Sequence, residues 1–336
     1  MTIQPKLFIL GNGFDLAHGI PTEYINFKKF LIEKCKDYGI NLFEKGLFGP
    51  KLVKKCPTLP GRQIHYMDKN GEGHVLAEYY LEAAVLLWLI ERAAKKRKNS
   101  IKDWSDFEEI IMKLNYLPLL SSGFDEDEDA LAALRETVDD LPGFFSEWIT
   151  KVPITGKEPL RQLQETINPD TDIALTFNYT ETLEKLYNFK RDNVCHIHGK
   201  RKETIDGNYD QQYLWSFGED NKILVVGGKE PENLRNDPFL ILRNCLIKDT
   251  EQQIVEYEGF FDRISAGGIS QIYSYGYSFS EVDQPYMKRV CDALGDTKGK
   301  TWTVFLYDAR DRNKFQEAIR DAGFTGAIQF EQCENN

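Results

Sequence analysis

A run of four apolar residues, Leu7-Phe8-Ile9-Leu10, is followed at once by the turn Gly11-Asn12-Gly13 and then by Phe14 to His18, which can open a helix. Four apolar residues are too few for a helix and suit a strand buried on both faces, as in a parallel sheet. After the loop Gly19-Ile20-Pro21-Thr22, the residues Tyr24, Phe27, Phe30 and Leu31 recur at helical spacing. From about Asp37 to Gly73 the pattern dissolves into Gly, Pro and Lys, which predicts a long loop or irregular insertion. From Val75 the helical period returns, with Leu76, Tyr79, Tyr80, Ala83, Leu86, Leu87 and Ile90 on one face. Lys95 to Lys98 close that helix with cations that complement its dipole. Asp103 to Glu108 open a second helix, the acidic run Asp125 to Asp129 charges the first turn of a third, and Phe144, Phe145, Trp148 and Ile149 mark a fourth apolar cluster.

Short apolar strands then resume. Ile173 to Phe177 ends in Asn178-Tyr179-Thr180, and Thr180 or Thr182 is placed to cap a helix over Glu181–Tyr187. Val194 to Gly199 puts His196 and His198 on one face by period-two alternation. Ile223 to Gly228 repeats the strand-then-glycine form, and Ile254, Tyr257, Phe261 and Ile264 predict one amphipathic helix. Ile272 to Gly276 is followed by Tyr277 to Asp283, where Ser280 and Asp283 are spaced as a capping-box variant. Trp302 to Tyr307 ends at Asp308, with a helix over Asn313–Ala322 behind it. Repeated strand, polar end and helix imply an α/β fold: a Rossmann-like, doubly wound, mostly parallel sheet with a large helical insertion. Residues 1–27 and 168–336 read as the nucleotide-binding domain and 28–167 as the insertion.

In such sheets ligands bind beyond the C-terminal ends of the strands. Gly11, Asn12, Gly13, Asp15, Asn178, His198, Gly227, Ser278 and Asp308 are expected to gather along that edge. The two turn glycines let bare N–H groups approach a ligand, and the following helix start favours a pyrophosphate. The dinucleotide fingerprint is incomplete, because Leu16 stands where the third glycine would fall. A carboxylate in a phosphate loop repels the phosphate, so Asp15 is expected to face a ribose hydroxyl or a backbone amide. His196, one step inward from His198, is expected to be a hydrogen-bonded core residue.

Composition narrows the classes. A formal charge of −11 and a pI near 5.1 speak against a nucleic-acid backbone as main partner. Six cysteines without a C-x-x-C pair argue against a structural zinc module and for reduced thiols in a cytoplasm. The pattern shows no metal-ligand spacing, and no metal is expected. Nor does an apolar run approach the roughly 20 residues that span a bilayer.

Gly11-Asn12-Gly13-Phe14-Asp15 with Gly19-Ile20-Pro21-Thr22, then Thr176-Phe177-Asn178-Tyr179-Thr180, Ile197-His198-Gly199 and Gly276 to Asp283, together with Trp104 to Glu108, resemble the bacterial abortive-infection AbiH family in order and over nearly the whole chain. Tyr277 departs from the family's frequent histidine in its G-H-S stretch. More distantly the motif order resembles the sirtuin-like NAD-binding fold. That resemblance implies Gly11, Gly13 and Asp15 in a phosphate loop, Thr22 in the nucleotide-holding G-I-P loop, and Asn178 on the nicotinamide-ribose side. It also implies His198 as general base and Ser278 near the adenosine ribose. Thr180 stands where that fold has an aspartate, and its four-cysteine zinc module is missing, which argues against acyl-lysine chemistry. The resemblance thus implies a phage-defence protein that takes NAD as substrate or ligand and hydrolyses its nicotinamide–ribose bond. The alternatives are a nucleotide sensor without turnover, or a nuclease. Partners compatible with it are a nucleotide, a phage-derived activator or partner protein, and a second copy of the chain, without a membrane and with nucleic acid disfavoured.

Overall fold

A computed structural model describes residues 4–37, 64–67, 73–76, 83, 86–88, 90–91, 101, 104, 106–107, 141–203, 209–210 and 250–334. The chain divides into two compact units, residues 1–23, 149–224 and 248–336 in one and 24–148 and 225–247 in the other.

The first unit is built on a six-stranded sheet. Its strands are β1 (Leu7–Leu10), β4 (Ile173–Thr176), β5 (Val194–His196), β8 (Gln271–Tyr275), β9 (Thr301–Leu306) and β10 (Ala327–Gln332). They lie in the order β10-β9-β8-β1-β4-β5, and every pairing is parallel. Counted along the chain this is 3-2-1-4-5-6, the order of dinucleotide-binding sheets, which reverses between β1 and β8. β1 lies at the centre, with Leu7 opposite both Ile173 and Ile272. Its four side chains are essentially fully buried, each worth about 1.5–3 kcal/mol of transfer free energy.

Alternation sends those side chains to opposite cores. Leu7 and Ile9 join Leu175, Ile272, Trp302 and Val304 beneath the helices α7 (Glu258–Ala266), α8 (Gln284–Leu294) and α9 (Arg312–Asp321). Phe8 and Leu10 join Ala174, Tyr275 and Phe305 beneath α1 (Asn12–Ala17), α4 (Arg161–Gln164) and α5 (Thr182–Tyr187). The helix expected through Ile254 to Ile264 is broken: α6 (Thr250–Glu256) ends and α7 begins on either side of Tyr257, whose ψ of 20° leaves the helical region.

In the second unit, α2 (Tyr24–Asp37) and the helical residues Trp104, Asp106 and Phe107 form an aromatic core with α3 (Leu141–Lys151). The Phe27 ring lies 5.8 Å from Trp104, 5.7 Å from Phe145 and 5.4 Å from Trp148. Ion pairs Lys28–Glu91 and Lys34–Glu147 flank it. The stretch expected to be irregular up to Gly73, and the helix expected from Val75, are corrected in part: β2 (Ile64–Met67) pairs antiparallel with β3 (Gly73–Leu76). Helical structure is present at Ala83, Leu86 to Trp88, Ile90 and Glu91. An Asn70-Gly71 pair, the strongest short hairpin signal, lies between the two strands. In the first unit, β6 (Lys202–Glu203) and β7 (Tyr209–Asp210) form another small antiparallel pair. The expected strand at Ile223 to Gly228, with Gly227, the basic run at Lys95 and the acidic run at Asp125 lie outside the described residues. Among the described residues no helix is long and apolar enough to cross a membrane.

Candidate functional site

The strand ends at the reversal of sheet order, after β1 and β8, touch through bare backbone. Gly11 N–H donates to Tyr275 O (3.2 Å) and Gly13 N–H to Gly276 O (2.9 Å), while the Tyr307 hydroxyl donates to Gly13 O (2.6 Å). A Cβ on Gly11 would sit 2.5 Å from Gly276 O, and one on Gly13 2.6 Å from Gly276 Cα. Gly276 itself has φ +62°, and a Cβ there would meet Phe14 N at 2.1 Å. The glycines are therefore required by the approach of one loop to another. The expectation that Gly13 offers a bare N–H to a pyrophosphate needs correction, because that N–H is already bonded to Gly276 O.

Asp15, in α1, is 1% exposed. Its two carboxylate oxygens accept from the hydroxyls of Thr180 (2.5 Å) and Thr182 (2.7 Å). Both oxygens of Asp15 are taken by hydroxyls of the chain itself. The expected cap is corrected: neither threonine caps α5, whose N-terminus has no side-chain cap. The hydroxyls go to the buried carboxylate because an unbonded one costs more than an open helix end. Burial pushes the Asp15 carboxyl up to about 6, against the lowering effect of the two hydroxyls, Arg201 and His196.

Asn178, at the end of β4, donates from Nδ2 to Gly11 O (2.9 Å) and so holds the glycine turn. Its own carbonyl accepts from His196 Nδ1 (2.9 Å), and His196 Nε2 donates to Glu184 Oε1 (3.1 Å). Burial alone would raise Glu184; the hydrogen bond and charge of His196, and Lys200 3.0 Å away, outweigh it and hold the carboxyl down at about 2. Arg201 is fully buried, donating from Nε to Glu181 (2.9 Å) and from Nη1 to the carbonyls of Ile149 and Val152. None of Glu181, Glu184 and Arg201 is marked by any local sequence pattern.

His198 lies just past β5, buried among rings. Phe177 packs edge-on at 5.3 Å, Tyr286 at 5.7 Å, and Tyr179 is near parallel at 6.3 Å. Nε2 stands 3.8 Å from Asp283 Oδ1. Asp283 Oδ2 accepts from the Ser280 hydroxyl (3.0 Å), and Asp283 N–H donates to Ser280 O. The Ser280–Asp283 spacing thus joins two side chains and is not a capping box, for Ser280 makes no side-chain cap. Phe279, between Ser278 and Ser280, has φ +51°, a strained conformation for a bulky residue. Ser278 is half-buried in that same loop.

The remaining candidates are more dispersed in role. Asp308 caps its own turn, accepting from Arg310 N–H (2.9 Å) and from the Arg310 guanidinium, whose hydrogen bonds hold its carboxyl down at about 2. Thr22 is buried, its N–H donating to Ile20 O (2.8 Å), and Asn12 is half-buried at the start of α1. Among the described residues no group of three His, Cys, Asp or Glu could hold a metal ion. The arrangement offers a histidine, a carboxylate and aromatic rings beyond the strand ends, which suits proton transfer and the stacking of a planar group.

Searches among curated proteins and among solved structures find no match. A family model described as bacteriophage abortive infection AbiH matches residues 7–306. That span takes in the glycine turn, Asn178, His198 and Asp283, and on it the chain belongs to the AbiH family of phage abortive-infection proteins.

Proposed function

We propose that this abortive-infection protein binds NAD or a closely related nucleotide along the C-terminal edge of its sheet and hydrolyses the nicotinamide–ribose bond. The observation that carries the reading is His198. It stands beyond the end of a strand in a 3-2-1-4-5-6 parallel sheet, packed against three aromatic rings and 3.8 Å from a carboxylate. In this reading the C1′–N bond breaks with its electron pair leaving on nicotinamide, water adds at C1′, and His198 takes the proton that the water loses. Asn178 acts through the glycine turn that it holds, and Tyr179 offers a face for the planar ring. The nucleotide's phosphates would lie against groups other than the Gly13 amide.

Purified protein, alone and with lysate of phage-infected cells, should convert NAD to equal amounts of nicotinamide and ADP-ribose. His198→Ala should lower the rate by about 100-fold or more, the usual worth of a general base. NAD left intact by the wild type under both conditions overturns the reading. One observation favours sensing without turnover: Thr180, at the position of the NAD fold's aspartate, spends its hydroxyl on Asp15. Calorimetric binding of NAD with no product formed would select that alternative.

A further inference from the structure

We infer that Asp283 is the positioning residue of His198, holding its proton on Nε2 so that Nδ1 is the basic atom. The inference rests on the catalytic reading of His198 for its meaning in turnover, and on geometry alone for the pairing itself.

Asp283 ends the 3-10 turn Glu281–Asp283 that runs into α8, and its side chain makes no cap hydrogen bond. One oxygen accepts from Ser280, and the other points at His198 Nε2. The side chain is 9% exposed, and a carboxylate that far from water is retained only with partners that offset its desolvation. His198 is a proton-donating group beside it, while Tyr286 and Tyr179 present rings to the imidazole. Those rings, with Phe177, restrict the imidazole's rotation, so Nε2 stays directed at the carboxylate. The strained φ of Phe279 lies four residues before Asp283, in the segment that delivers it.

A 3.8 Å separation is ion-pair reach and longer than a hydrogen bond. Catalytic pairs commonly close this gap only when the ligand is bound. With Nε2–H facing Asp283, the second ring nitrogen carries the lone pair that accepts a proton. The carboxylate then stabilises the imidazolium that results, without itself taking the proton.

The test reads His198 directly. In protein labelled with 15N-histidine, NMR titration of His198 should show the Nε2–H tautomer and a midpoint about one pH unit lower in Asp283→Asn than in wild type. Ser280→Ala, which frees the carboxylate without removing it, should move the midpoint less in the same direction. In NAD turnover, Asp283→Asn should lower kcat by at least about tenfold while KM changes less than twofold. A His198 midpoint and tautomer unchanged in both variants overturns the pairing. If Asp283→Asn fails to fold, Ser280→Ala alone decides, and an unchanged midpoint there overturns it too. A shifted midpoint in a protein that leaves NAD intact upholds the pairing and removes the NAD reading, so the two failures are distinct.

Discussion

The ends of β1 and β5 are both short, polar and glycine-bearing, and they are used in opposite ways. After β1 the turn is tied to the protein's own groups: Gly13 N–H by Gly276 O, Gly11 O by Asn178, Asp15 by two hydroxyls. After β5 the histidine faces a carboxylate across 3.8 Å and packs against aromatic rings. The difference teaches that a glycine turn at a strand end can be a clamp between two loops. Chemistry then falls to the neighbouring strand end, where the polar pair is held apart and within reach of a third group.

The largest expected effect breaks this comparison if it fails. Gly276→Ala places a Cβ 2.1 Å from Phe14 N at φ +62°, and Gly13→Val places a branched side chain 2.6 Å from Gly276 Cα. Each should cost at least about 3 kcal/mol of stability, read by urea unfolding, because backbone cannot yield as a side chain can. A Gly13→Val protein as stable as wild type would show that the loops are not clamped.

Next in size is a pH effect that separates the two strand ends. The Asp15 carboxyl lies at about 6 when folded, against an ordinary 3.8. A raised acid favours the folded state when protonated, so its contribution is fully present below 3.8 and is lost as pH rises through 6. Between pH 8 and pH 4 wild type should gain roughly 2.5 kcal/mol relative to Asp15→Asn. His18, lowered by burial, loses stability as pH falls below its ordinary 6.5, and Glu184 loses it between about 4.5 and 2. Both are common to the two proteins and cancel in the difference. Parallel unfolding curves from pH 8 to pH 4 would show that Asp15 is solvated and the cluster open.

The smallest effect sharpens the contrast between glycines. Gly19 has φ +66°, but the nearest atom to an added Cβ is the flexible Nζ of Lys157 at 3.1 Å. Gly19→Ala should therefore cost only about 1 kcal/mol, the price of the left-handed conformation. A thermal melt that places it level with Gly276→Ala would mean that conformation, and not close approach, governs both.

Much of the fold was legible because β1 and β4 are short runs buried on both faces, β8 and β9 are largely so, and each strand is followed by Gly, Asn or Asp. β10 was missed: it is a half-exposed edge strand whose alternation of Ile328 and Phe330 with polar residues is brief. The hairpin of β2 and β3 was missed because four-residue strands carry little periodicity, although Asn70-Gly71 stood between them. At the site, the strand-end rule brought Asn178, His198 and the glycine turn to one edge. The partners were hidden, since Thr180 and Thr182 reach Asp15 across 165 and 167 residues, and no local pattern encodes such a pairing. Asp283 was visible only as a spacing from Ser280, which suggested a cap and concealed its alignment on His198.

The central position of β1 has a consequence for the order of events during synthesis. Leu7 pairs with Ile173 on one flank and Ile272 on the other, so the strand made first waits for both neighbours. At 5–20 residues per second, that is on the order of 10–50 s with an apolar segment unpaired beside the ribosome. Pairing over such separations is intrinsically slow as well. The second unit's aromatic core, whose described rings fall between Tyr24 and Trp148, is translated within that interval. The rings of that core are thus made early, while the sheet around β1 can be completed only after Gln332 has left the exit tunnel.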